Sequence, residues 1–224
     1  MKNRENAREY TSEELAAFGE SEAFRLREAG YFTGRRAANR IRSFLAVLST
    51  AEPAAEAGEW LADNRYLIER EALLAAKDFT AARRVPAGRE NALVAEAAAS
   101  LAAHLDGEVT LERAAAYFEG FQSVRALSLT ELTLLGAALR SGLVELLAEE
   151  YSGSARVSVA AAAITSLRAL ATADLSALTE KCDKAGAILS LERCGVYPRM
   201  DERTRAMYRR RLARMAEHEG ISET

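Results

Sequence analysis

Any chemistry in this chain would have to start from very few bases and nucleophiles. There are two histidines, His104 and His218, and two cysteines, Cys182 and Cys194. His104 falls in the last turn of a helical segment, where an imidazole suits the unpaired carbonyls of a helix end. His218 lies among glutamates and reads as solvated. With no second histidine at ligand spacing and cysteines too loosely spaced, neither a zinc site nor a disulfide framework is predicted. A Gly-x-Ser-x-Gly elbow, a Gly-x-x-x-x-Gly-Lys phosphate loop and a dinucleotide fingerprint are all missing. Carboxylates are plentiful, but on amphipathic helices they mostly face water, and abundance alone does not make an acid/base pair. The expectation is no catalytic residue, no metal and no cofactor.

Polar residues in apolar company are the next candidates. Asp63 and Asn64 interrupt a helical pattern between Trp60-Leu61 and Tyr66-Leu67-Ile68. Asn64 lies on the Leu61/Leu68 side, which suits a buried polar bridge between helices or a ligand contact. Arg168 follows Ile164-Thr165-Ser166-Leu167 on an otherwise uncharged helix. A guanidinium there is expected to be at least half buried and paired with a carboxylate from a neighbouring helix. Tyr197 and Tyr208 suit either a core or a sugar contact.

These residues must be positioned by helices. Only three prolines punctuate the chain, β-branched residues never alternate, and much of the 49% hydrophobic content is alanine, the best helix former. Thr11 with Glu14 forms a capping box for a first helix that Gly30 would end. Further segments follow at about 35–48, from Pro53 in a first turn to about 77, at 91–104 and from Thr110 to about 120. Residues 81–88, containing Pro86, read as the clearest loop. Ser128 with Glu131 caps the most apolar segment, whose Leu132, Leu135, Leu139, Leu143, Leu146 and Leu147 line one face; Gly136 and Gly142 would let neighbours approach. A helix at about 156–171, a shorter pair around 175–191 and a last helix at 201–218 complete the pattern. The fold predicted is all-α: one domain over 1–224, with about eight to nine helices around a central apolar helix at about 128–150. Residues 1–30 could form an N-terminal extension.

Charge is unevenly spread. The formal net is −3, yet residues 199–214 hold seven arginines against Asp201 and Glu202, a local excess of five that leaves −8 on the rest. Such asymmetry suits an anionic partner surface. In the last helix Thr204, Met207, Tyr208, Leu212 and Met215 follow helical spacing and are expected to pack on the domain. Arg203, Arg209, Arg210 and Arg214 would then face outward, towards an anionic membrane surface. A helix-turn-helix pattern is not evident, and nucleic acid is not expected. No apolar run approaches the roughly 20 residues of a membrane span, and the charged N-terminus lacks the apolar core of a signal peptide. A reduced, cytoplasmic setting is expected.

Several segments, in order, resemble the N-terminal cytoplasmic region of cyclic β-1,2-glucan synthases. They are Glu59-Trp60-Leu61-Ala62-Asp63-Asn64 with Ile68-Glu69, Ala103-His104-Leu105-Asp106-Gly107, and Phe121-Gln122-Ser123-Val124 with Leu127-Ser128-Leu129-Thr130-Glu131-Leu132. Val157-Ser158-Val159 and Ile164-Thr165-Ser166-Leu167-Arg168 come next. Gly195-Val196-Tyr197-Pro198-Arg199-Met200-Asp201 follows, with Thr204-Arg205 and Tyr208-Arg209. The chain departs from that pattern at Thr130, Thr133, Glu202, Ala206 and Arg210. The resemblance implies a diverged fragment of a large membrane glycosyltransferase, at the inner face of the membrane, with other domains of the same polypeptide as partners. It also implies that the catalytic parts lie beyond Thr224, since the sole glutamine and sole tryptophan, Gln122 and Trp60, cannot form the acceptor motif Gln-x-x-Arg-Trp. The stop at Gly220 followed by Ser222-Glu223 reads as a new helix cap. The candidate binding set, each with a structural alternative, is Asp63, Asn64, Glu131, Arg168, Tyr197, Asp201, Arg205 and Tyr208. The function expected is a non-catalytic accessory or packing domain of such a synthase-like protein. The rival is a free-standing helical binding or regulatory protein with a basic C-terminal helix.

Overall fold

The structure, a computed structural model, describes residues 9–51, 55–153 and 156–224. Among them run α1 (Ser12–Arg25), β1 (Tyr31–Phe32), α2 (Gly34–Thr50), α3 (Ala55–Ala81), β2 (Val85–Pro86) and α4 (Leu93–His104). Then come α5 (Leu111–Val124), α6 (Leu129–Ser152), α7 (Val157–Thr172), α8 (Ser176–Cys182), α9 (Lys184–Ser190) and α10 (Glu202–Glu219), with a 3-10 turn at Tyr197–Arg199 before α10. The fold is all-α, with ten helices in the described residues, slightly more than the sequence pattern suggests. Pro53, expected in the first turn of the third helix, lies outside the described residues.

The centre is α6. Its leucines at 132, 134, 135, 139, 143, 146 and 147 are buried on nearly every side, as an apolar helix requires. α2, α3, α4 and α7 pack around it. Both capping boxes form: Thr11 with Glu14 opens α1, and Ser128 with Glu131 opens α6. Each closes two otherwise unpaired backbone donors at a helix start. Among the described residues no single helix is long and apolar enough to cross a membrane.

Small side chains set the interhelical distances. α1, which lies within the segment read as an N-terminal extension, packs chiefly on α5. There Gly19 faces the Tyr117 carbonyl and Gly120 faces the Ala16 carbonyl, so a Cβ on either would sit 2.0 or 1.8 Å from backbone oxygen. Gly142 of α6 likewise lies against the Ala98 backbone of α4.

α1 stops at Arg25 rather than at Gly30. The backbone beyond it is recruited elsewhere: Ala29 N–H donates to Ala87 O at 2.7 Å and Ala87 N–H to Gly30 O at 2.8 Å. Gly30 takes φ 104° to make that turn, and Tyr31–Phe32 pairs antiparallel with Val85–Pro86. The segment expected to be a plain loop therefore carries a two-residue strand.

Candidate functional site

The first sequence candidates meet across α3 and α7. Asn64 is buried, accepts a hydrogen bond from Arg168 Nη2 at 2.6 Å and donates through Nδ2 to Trp60 O at 2.9 Å. It is thus a bridge between helices. Arg168 is exposed and pairs with this amide, contrary to the expected half-buried ion pair; Asp63 is exposed beside it. The buried pair exists two turns along instead. Glu71 of α3 is almost fully buried, and Arg140 of α6 holds it at 2.8 Å while donating to Leu170 O of α7 at 3.1 Å. That arginine lies on the apolar central helix, where leucine spacing gives no hint of a charge partner. With Arg168 exposed and, among the described residues, bonded only to this amide, Arg168→Ala should cost about 1 kcal/mol of unfolding free energy, the worth of one hydrogen bond. Urea melts of the two proteins check this.

Glu131 is fully buried, and its partners account for it. It accepts from Ser128 N–H at 3.0 Å and from the Arg125 guanidinium at 2.9 and 3.0 Å. Arg125 also reaches Glu28 at 3.1 Å. Burial works against the charge on Arg125, but the two carboxylates outweigh it and hold its pKa above the ordinary value. This corner welds α5 to α6.

The remaining candidates gather at α10. Asp201 caps that helix, accepting from Thr204 Oγ1 at 2.7 Å and from Thr204 N–H at 3.0 Å. Those two bonds hold its carboxyl below the usual range. Tyr197 is buried beside α10, and burial followed by the nearby Asp183 charge raises its phenol pKa. Arg205 is half-buried and Tyr208 exposed.

The helix is rotated from the face its apolar spacing predicts. Arg209, expected to point outward, is buried; its Nε donates to Asp183 at 2.9 and 3.0 Å, and its Nη2 lies 2.8 Å from Asp183 and 3.2 Å from Glu223. Ala216 is the other buried residue of α10. Met207, Tyr208 and Met215, expected to pack inward, are 56%, 46% and 60% exposed. The physical reason is the supply of carboxylates. Asp183, at the junction of α8 and α9, and Glu223 together neutralise a guanidinium on the inner face. Exposed on the outer side are Arg203, Arg210, Arg211 and Arg214. The result is a helix whose largest apolar side chains and most of whose arginines share solvent.

Elsewhere ionisable groups serve packing. The His104 ring stacks on Phe18 at 3.8 Å, near Tyr10. Burial, with the Glu119 charge adding to it, pushes the Cys182 thiol up to about 11, so little thiolate exists at neutral pH. Among the described residues no three His, Cys, Asp or Glu side chains converge as metal ligands. Against known proteins, no family model matches this chain and no curated protein matches its sequence. The outer face of α10 is the surface on which a functional reading rests.

Proposed function

We propose that this chain is a non-catalytic packing domain of a cyclic β-1,2-glucan synthase-like membrane glycosyltransferase, and that it docks through the outer face of α10. The carrying observation is the rotation of that helix, which keeps Thr204 and Leu212 of its expected stripe half-buried and puts the other three in solvent. Met207, Tyr208 and Met215 stand in solvent with Arg203, Arg210, Arg211 and Arg214 around them. A surface helix normally turns such side chains towards its own core. Left outside beside cations, they suit a surface that is apolar within and anionic at its boundary, which describes the headgroup layer of a bilayer. The order of sequence segments from Glu59 to Arg209 supports the synthase-like assignment, and other domains of the same polypeptide are the natural neighbours.

In this reading the carboxylates and arginines inside the domain are structural. Glu71, Glu131 and Asp183 each hold an arginine in place. The reading therefore predicts that the chain alone, incubated with UDP-glucose and with β-glucans, yields no transfer or hydrolysis product by chromatography. Turnover abolished by a point substitution in this chain would overturn it.

A further inference from the structure

We propose that Glu223 pins the segment after α10 as a strap that holds this helix on the body, and that release of this strap frees the helix for docking. The docking clause rests on the function proposed above; the strap itself does not. Its carboxylate ties three elements together. It accepts from the Leu129 N–H at the start of α6 at 3.0 and 3.2 Å, and lies 3.2 Å from Arg209 Nη2 of α10. The chain reaches this position because Gly220 adopts φ 67° and Ile221 N–H returns to Ala216 O at 3.0 Å. The neighbouring donor, Ser128 N–H, is already taken by Glu131, so Leu129 is the donor Glu223 satisfies.

The contact matters because α10 has little else to hold it. Only Arg209 and Ala216 of that helix are buried, and hydrophobic attachment scales with the apolar area covered. Its hold on the body is thus chiefly polar: Arg209 to Asp183, the exposed pair of Glu217 with Arg84 at 3.1 Å, and, through the segment after the helix, Glu223. Without Glu223 the Leu129 N–H loses its acceptor and Arg209 keeps one of its two carboxylates. Undocking would turn the half-buried Arg205 and the buried Arg209 outward, adding two cations to the four already exposed. An anionic surface that prefers the six-arginine form would shift the equilibrium towards it.

Amide hydrogen exchange of the full chain, with no vesicles present, tests the strap. Glu223→Gln and Glu223→Ala should each exchange the α10 amides at least about tenfold faster than wild type, with α4 and α6 unchanged. In an Arg209→Met background, Glu223→Ala should have a smaller effect than in wild type, what remains being the loss of the Leu129 contact. Unchanged α10 exchange in both single variants would overturn the strap. Partition onto phosphatidylserine vesicles tests the release: Glu223→Gln should bind severalfold more than wild type. If α10 exchange accelerates while binding stays at the wild-type level, release does not gate docking. Failure of every form to bind would refute the docking function and leave the exchange result standing.

Discussion

Arg125→Ala should be among the most destabilising single changes in this domain, costing about 3–5 kcal/mol because it strands a buried carboxylate. Glu131 has no exposed side-chain surface, and Arg125 supplies two of its hydrogen bonds, at 2.9 and 3.0 Å. Removing the guanidinium leaves the charge facing only the Ser128 cap. The cause can be separated from lost packing. Glu131→Gln keeps an acceptor for the cap and removes the charge, so the double variant Arg125→Ala/Glu131→Gln should be more stable than Arg125→Ala alone. Urea denaturation midpoints, compared at unchanged m-value, give the answer.

Gly120→Val should be comparably severe, at about 3 kcal/mol or more, for a steric reason. The added Cβ would sit 1.8 Å from Ala16 O, and what it meets is backbone of α1. No rotamer change relieves that, so α1 must move away from α5 and uncover Leu15 and Ala23, both buried. Gly136→Ala is the control: its Cβ meets the Leu175 side-chain tip at 2.4 Å, which can swing aside. Alanine is also the better helix former by about 1 kcal/mol. Thermal melts should separate the two substitutions widely.

The two outcomes mark what the sequence made legible and what it did not. Helix starts were readable where side chain and backbone donor lie within one turn, as at Thr11 and Ser128, and the leucine run made α6 the centre. The end of α1 was not, because the pairing of Ala29 and Gly30 with Ala87 is made across nearly sixty residues. Asn64 was recognisable as a buried polar residue from its place between apolar neighbours, with a bridge and a ligand contact both open. Its partner Arg168 stands in solvent with no carboxylate among the described residues, because the carboxylate–arginine contact of that region belongs to Glu71 and Arg140. Most instructive is α10. Apolar spacing turned Met207, Tyr208 and Met215 inward, and spacing is blind to carboxylates arriving from other segments. Asp183 and Glu223 reverse the outcome by neutralising Arg209. Periodicity identifies a helix and its stripe; which stripe meets the body depends on what the body offers it.

That reversal makes the outer face of α10 the decisive surface. Co-sedimentation with phosphatidylserine and phosphatidylcholine vesicles, at low and high salt, tests it against a variant with Arg203, Arg210, Arg211 and Arg214 changed to glutamine. All four are exposed, so the variant should fold as wild type does. Each arginine near an anionic surface contributes about 1 kcal/mol, so the variant should lose about 100-fold or more in partition onto anionic vesicles. Wild type should bind phosphatidylserine well above phosphatidylcholine and release as salt rises. Equal binding by wild type and variant, or no preference for the anionic vesicles, would contradict the docking role assigned to α10.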